Sequence, residues 1–152
     1  AAVPGLVLRT TLIAGYPGET EEQFGELCDF VRENRFERLG CFAYSQEEGT
    51  PAAALPGQIG AEEKRRRAQV VTEMQMEIMQ EQGERMAGQT LRVLTEGCEG
   101  NRWFGRSYMD SPDVDGGVWF RAPAGEEPAP GEFVRVKITG CADGELAGER
   151  VS

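Results

Sequence analysis

Histidine is absent from this sequence, and with it the commonest metal ligand and the one side chain whose ordinary pKa lies near neutrality. Cysteine occurs only four times, at 28, 41, 98 and 141. The spacing excludes a zinc ribbon, a redox dithiol or an iron–sulfur run, all of which cluster their thiols. Cys28 falls on an apolar helix face and Cys41 in an apolar strand, so both read as small buried hydrophobes. No run approaches the roughly 18 apolar residues of a membrane helix, and no basic-then-apolar signal segment opens the chain. Without histidine or grouped thiols, the 152 residues are a poor candidate for a self-contained catalyst.

Positive charge is also scarce. Lys and Arg number 16 against 26 Asp and Glu, a net charge of −10. The balance is 4 basic to 9 acidic over residues 1–56, 5 to 6 over 57–87 and 7 to 11 over 88–152. Nucleic-acid binders draw their affinity from phosphate neutralisation by a basic face, so this balance disfavours RNA and favours a basic protein partner. A local basic patch remains compatible with it.

What is present is organised around LRTTLIAGYPGET, Leu8 to Thr20. An apolar strand ends at Gly15, Tyr16-Pro17-Gly18 has turn chemistry, and Thr20 stands three residues before Gln23 as in a capping box. The turn follows the carboxyl end of the strand, where parallel α/β proteins place their ligands. Phe24, Leu27, Cys28 and Val31 then recur at helical spacing to about Asn34. Phe36 to Tyr44 reads as a second strand, apolar enough to be covered on both faces. Ser45 to Pro56 is a polar loop at that strand's carboxyl end. The result is a strand–helix–strand unit that needs a larger sheet or barrel, and the chain is expected to be a fragment of a longer protein.

Residues 61–86 predict one long helix with a seam of Ala68, Val71, Met74 and Ile78. Lys64 to Arg67 follows Glu62-Glu63 and reads as a solvated face of charge pairs rather than a nucleic-acid patch. From Gly88 the texture changes to short strands at Thr90–Thr95, Arg102–Tyr108, Gly117–Arg121, Glu132–Thr139 and Glu145–Val151, a small five-stranded barrel of oligonucleotide-binding-like (OB-like) architecture. Val134, Val136 and Ile138 alternate with Phe133, Arg135 and Lys137. Trp103, Phe104, Tyr108, Trp119, Phe120 and Phe133 are either core or stacking platforms, with core the expectation for most. Asp110, Asp113 and Asp115 lack the spacing of an EF-hand and read as a recognition loop or a turn. Two domains follow, residues 1–87 and 88–152.

GYPGET after one apolar strand, CFAYSQEEGTPAA after the next, a long helix and a barrel bearing GRSYMDSPDVDG resemble the C-terminal half of the radical-SAM methylthiotransferases. The barrel resembles their TRAM domain, and the motif combination is similar to the RimO type, which modifies a ribosomal protein. It is less similar to the MiaB type, which modifies transfer RNA. The resemblance implies an α/β plus all-β fold: the last strand–helix units of a TIM-like radical-SAM barrel, then the TRAM barrel. It implies an enzyme with S-adenosylmethionine and two 4Fe-4S clusters, one held by a CxxxCxxC motif that this sequence does not contain. The radical takes hydrogen from the β-carbon of an aspartate on a small-subunit ribosomal protein, and a methylthio group is installed there. The implied partners are that basic protein in the cytoplasm and the cluster-bearing N-terminal domains of the same polypeptide. By the same resemblance Gly15, Pro17, Gly18 and Glu19, with Tyr44 and Ser45 and then Gly49 and Thr50, lie at the cofactor mouth, although Glu19 as a helix cap is an open alternative. Arg106, Ser107, Tyr108, Asp110 and Asp113 are the candidates for substrate contact. The other readings are a transfer-RNA enzyme, favoured by a positive stripe over Arg92, Arg135 and Lys137, and a non-enzymatic binding module.

Overall fold

The computed structural model describes residues 3, 5–112 and 114–151. They form two compact units, one through Ile78 and the other from Met79.

In the first unit, strand β1 (Arg9–Ala14) pairs in parallel with β2 (Arg38–Ala43), from Arg9 opposite Arg38 to Ala14 opposite Ala43. Helix α1 (Glu21–Asn34) connects them. It starts where the sequence predicts, because Thr20 and Gln23 close a reciprocal capping box and leave two fewer orphan donors. The apolar stripe of α1 buries Phe24, Cys28 and Val31 against Val71 and Ile78 of helix α2 (Ala61–Arg85), with Leu12, Leu39 and Cys41 of the strands packed on the cluster. Full burial of a side chain such as Val31 or Val71 contributes about 1.5–3 kcal/mol. Gln75 is buried in this seam and donates to the Phe36 carbonyl, so its amide nitrogen is satisfied there.

The sequence predicts a sheet covered on both faces, and here only one face is covered. Ile13 and Phe42 point the other way and are 56% and 63% exposed. Alternation along each strand puts Leu12 and Cys41 under the helices and leaves their neighbours open.

The second unit is a closed barrel in the order β3-β4-β5-β7-β6: β3 (Thr90–Glu99), β4 (Arg102–Arg106), β5 (Val118–Arg121), β6 (Phe133–Ala142) and β7 (Glu145–Val151). All neighbours are antiparallel except β5 and β7. Closure leaves no strand edge unpaired. The predicted alternation on β6 holds: Val134, Val136 and Ile138 enter the core with Leu91, Val93, Val118, Phe120 and Leu146, while Phe133, Arg135 and Lys137 face out. Strands β3 and β6 run longer than the pattern suggests, because register shifts at Thr95/Gly97 and Ile138/Gly140 carry the pairing past an irregular residue. Gly105 is required by contact: a Cβ there would lie 2.1 Å from the Leu94 carbonyl oxygen. The end of α2 belongs to this unit, where Gln80 donates to the Cys141 carbonyl at 3.0 Å and accepts from the Gly144 amide.

Candidate functional site

At the carboxyl end of β1, Gly15 turns the chain with φ +79°, and a Cβ there would meet Lys64 Cγ at 2.6 Å. Only glycine takes that angle cheaply and leaves room for the helix. Pro17 is buried, Gly18 is exposed, and the Gly18 amide donates to the Gly57 carbonyl at 2.9 Å. Glu19 folds back beneath the turn: its Oε1 accepts from the Gly15 amide at 3.0 Å and from Arg67 Nη1 at 2.7 Å. A helix-cap role for Glu19 is therefore incomplete, since its carboxylate serves the turn before the helix and an arginine of α2.

At the carboxyl end of β2, the Tyr44 amide donates to the Ala14 carbonyl and extends the β1–β2 pairing by one step. This brings the two turns together. The Tyr16 and Tyr44 rings meet edge to face with centroids 5.4 Å apart, and Lys64 Nζ stands 5.0 Å from the Tyr44 ring centre. The Tyr44 hydroxyl is buried with no hydrogen-bond partner among the described residues. Ser45 donates to Glu47, and Thr50 caps a short 3-10 turn, Pro51–Ala54. Gln46, Glu48, Gly49, Thr50, Pro51, Ala53 and Ala54 line an open cleft of about 650 Å³. Small-molecule sites span roughly 300–1,000 Å³, so the cleft fits a ligand of nucleoside size. Gly49 and Thr50 line the cleft, whereas Gly15, Pro17, Gly18, Glu19, Tyr44 and Ser45 do not.

The solvated-face reading of Lys64 to Arg67 needs correction. Arg67 is only 5% exposed and bonds Glu63 at 2.7 Å, Glu19 at 2.7 Å and Glu21 at 3.1 Å. Burial opposes the Arg67 charge, but the hydrogen bonds it donates to Glu19 and Glu63 outweigh it and raise its pKa. Hydrogen bonds from Arg66 and then Arg67 hold the Glu63 carboxyl down at about 2. The expected pairing of Glu63 with Arg66 and Arg67 is present.

The cysteines do not suit an iron–sulfur cluster. Cys28 is buried, Cys41 and Cys141 are partly buried and Cys98 is exposed, all as free thiols. Burial pushes the Cys41 thiol up to about 11. Among the described residues no group of three or more acidic, cysteine or histidine side chains has a metal-holding arrangement.

On the barrel, Arg106 ends β4 in an ion pair with Glu96. The buried Ser107 donates to Asp110 Oδ2 through both its amide and its hydroxyl, at 2.9 and 2.7 Å. Ser107 and Asp110 thus build the turn, and Tyr108 between them is presented to solvent, 66% exposed. Asp113 lies outside the described residues. Asp115 Oδ2 accepts from the Ser111 amide at 2.7 Å, a turn rather than a cation site. Of the aromatics, Phe120 is core and Trp103 stacks against it. Phe104 and Trp119 pair on the outside with Arg102 over the indole, and Phe133 is exposed beneath Arg92.

A sequence profile described as the TRAM domain matches residues 87–151. Curated proteins named ribosomal protein uS12 methylthiotransferase RimO match almost the whole chain. The one from Symbiobacterium thermophilum is 49% identical over 97% of the chain and 31% of the relative. Those from Desulfitobacterium hafniense and Flavobacterium psychrophilum are 47% and 44% identical, over 98% of the chain and 33% and 34% of each relative. The chain spans about a third of the length of the curated relatives it matches. With a TRAM barrel at one end and near-half identity along its whole length, the chain belongs to the RimO methylthiotransferase family.

Proposed function

We propose that this chain completes the mouth of an S-adenosylmethionine site and binds the protein substrate of an enzyme that methylthiolates an aspartate β-carbon on a small-subunit ribosomal protein. The observation that carries the reading is the close similarity, sustained through both units, to relatives bearing that enzyme's name. The cofactor, when bound, supplies the radical chemistry. The cluster ligands come from other parts of the same polypeptide, in the cytoplasm. What this chain contributes is positioning. Gly15, Pro17, Gly18, Glu19, Tyr44 and Ser45 shape the mouth through backbone groups and small side chains, and Gly49 and Thr50 line the cleft beside them. Arg106, Ser107, Tyr108, Asp110 and Asp113 contact the substrate, with Tyr108 the exposed side chain among the described ones. The net charge of −10 suits a basic ribosomal protein through electrostatic steering. Residues 1–87 serve the barrel mouth and 88–152 recognition.

One arrangement favours a second reading, in which the barrel contacts RNA. Arg92 stands directly opposite Arg135 on the outer face, Lys137 lies two residues along, and Arg92 covers Phe133 at 4.0 Å. Cations interleaved with an aromatic ring suit a phosphate backbone. Binding of the chain to the ribosomal protein and to transfer RNA, each at two salt concentrations, separates the readings. Selective, salt-weakened binding to the protein, lost in Tyr108→Ala, is the expected result. Tight RNA binding with a steep salt slope would overturn it in favour of the second reading.

A further inference from the structure

We propose that Arg67 is a positioning residue for the Gly15–Glu19 turn: its guanidinium holds the Glu19 carboxylate against the Gly15 amide, so that α2 sets the geometry of the cofactor mouth. The proposal rests on the reading of that mouth as the S-adenosylmethionine site.

The argument starts from burial. An arginine almost never sits in a core unless its charge is met, and Arg67 is met by three carboxylates and two carbonyls. Its Nη1 bonds both Glu19 Oε1 at 2.7 Å and the Glu19 carbonyl at 3.0 Å. It therefore fixes the side chain and the backbone of one residue. Nε is held by Glu63 at 2.7 Å, one turn earlier on the same helix, which locks the direction of the fork. The plane also lies over Phe24 of α1, 5.2 Å from the ring centre.

The consequence falls on Gly15. Its amide is bonded to the Glu19 oxygen that Arg67 holds. Its missing Cβ leaves the space that Lys64, three residues before Arg67, occupies. Two adjacent faces of α2 thus grip one turn, by charge at Glu19 and by contact at Gly15, and Lys64 extends the grip to the Tyr44 ring. A lysine in place of Arg67 would keep the charge but could not span Glu19, Glu63 and Glu21 together. Such a residue acts on ligand geometry without touching the ligand.

The test is made in the full-length enzyme that carries this chain. Arg67→Met is expected to raise the KM for S-adenosylmethionine about tenfold to a hundredfold, the range of one charge-assisted hydrogen bond. The kcat should change less than about twofold, since uniform binding is what is lost. Hydrogen exchange at the Gly15 amide should quicken by a similar factor in the ligand-free protein, and Arg67→Lys should recover part of both effects. A folded Arg67→Met with unchanged KM and unchanged Gly15 exchange overturns the proposal, as does a variant whose kcat and melting temperature fall while KM holds. Where Arg67→Met does not fold, Glu19→Gln carries the test, because its amide oxygen still accepts from Gly15 while the ion pair is gone. The same rise in KM is expected there, and its absence is equally fatal. In the wild type, S-adenosylmethionine should protect the Gly15 and Tyr44 amides. Protection that appears elsewhere and not there overturns the reading of the mouth and the proposal with it, a failure distinct from an inert Arg67.

Discussion

The β1–β2 sheet and the TRAM barrel are both small β-structures, but they solve the edge problem in opposite ways. The barrel pairs every strand on both sides and fills its interior with Val93, Val118, Val136 and Phe120, so backbone and side chains are satisfied within the unit. The sheet has two strands, one face under helices and one face open at Ile13 and Phe42. A pair of strands gains stability only from what covers it. The barrel thus carries Tyr108 and Phe133 on an outside that its core does not need. The sheet ends in turns that Arg67 and Lys64 of α2 contact. One unit presents side chains, and the other presents backbone.

That contrast is sharpest in the cores. Phe120→Ala removes a side chain that is 1% exposed at the centre of the closed barrel, and a loss of about 3–5 kcal/mol is expected. Denaturant unfolding followed by Trp103 and Trp119 fluorescence measures it. A loss below about 1 kcal/mol would mean that the barrel core is not a jigsaw and would erase the contrast.

Acid probes the grip on the turn. The Glu63 carboxyl is held at about 2, below its ordinary value of 4.5. A depressed carboxylate contributes stability that is fully present above its unfolded pKa and is lost as pH falls through the folded one. Loosening of the first unit is therefore expected between about pH 4.5 and 2, and the window should disappear in Glu63→Gln. Amide exchange at Gly15 and Glu19 across that range reads it, with the barrel amides as the internal reference.

The smallest effect is expected on the open face. Phe42→Thr keeps strand propensity and removes an exposed ring, so the stability of this chain should change by less than about 0.5 kcal/mol. The same substitution in the full-length protein should be markedly worse if further strands cover that face. Equal effects in both would break the comparison, because the sheet would then need no cover.

Much of the fold was legible in order along the chain. The capping box at Thr20 and Gln23, the seam through Val71 and Ile78, and the alternation on Val134, Val136 and Ile138 are local periodicities, and periodicity survives translation into structure. The strand ends were less legible. The register shifts between Thr95 and Gly97 and between Ile138 and Gly140 are properties of a pair of strands and leave no mark in either strand alone.

In the site, the turn residues announced themselves through glycine and proline chemistry, whereas Ser107 and Asp110 were named by resemblance alone and the turn they build came with the structure. Arg67 did not, since a basic run behind two glutamates has the same pattern whether water or a buried carboxylate faces it. By itself, then, the sequence determined the elements, the barrel's inside and outside, and the family. The tertiary structure alone decided which charge is buried, which oxygen of Glu19 meets which amide, and which sheet face stays open. The physical reason is range: backbone preference and hydrophobic period act over a few residues, whereas the partner of Arg67 lies 48 positions away and is chosen only when the chain has packed.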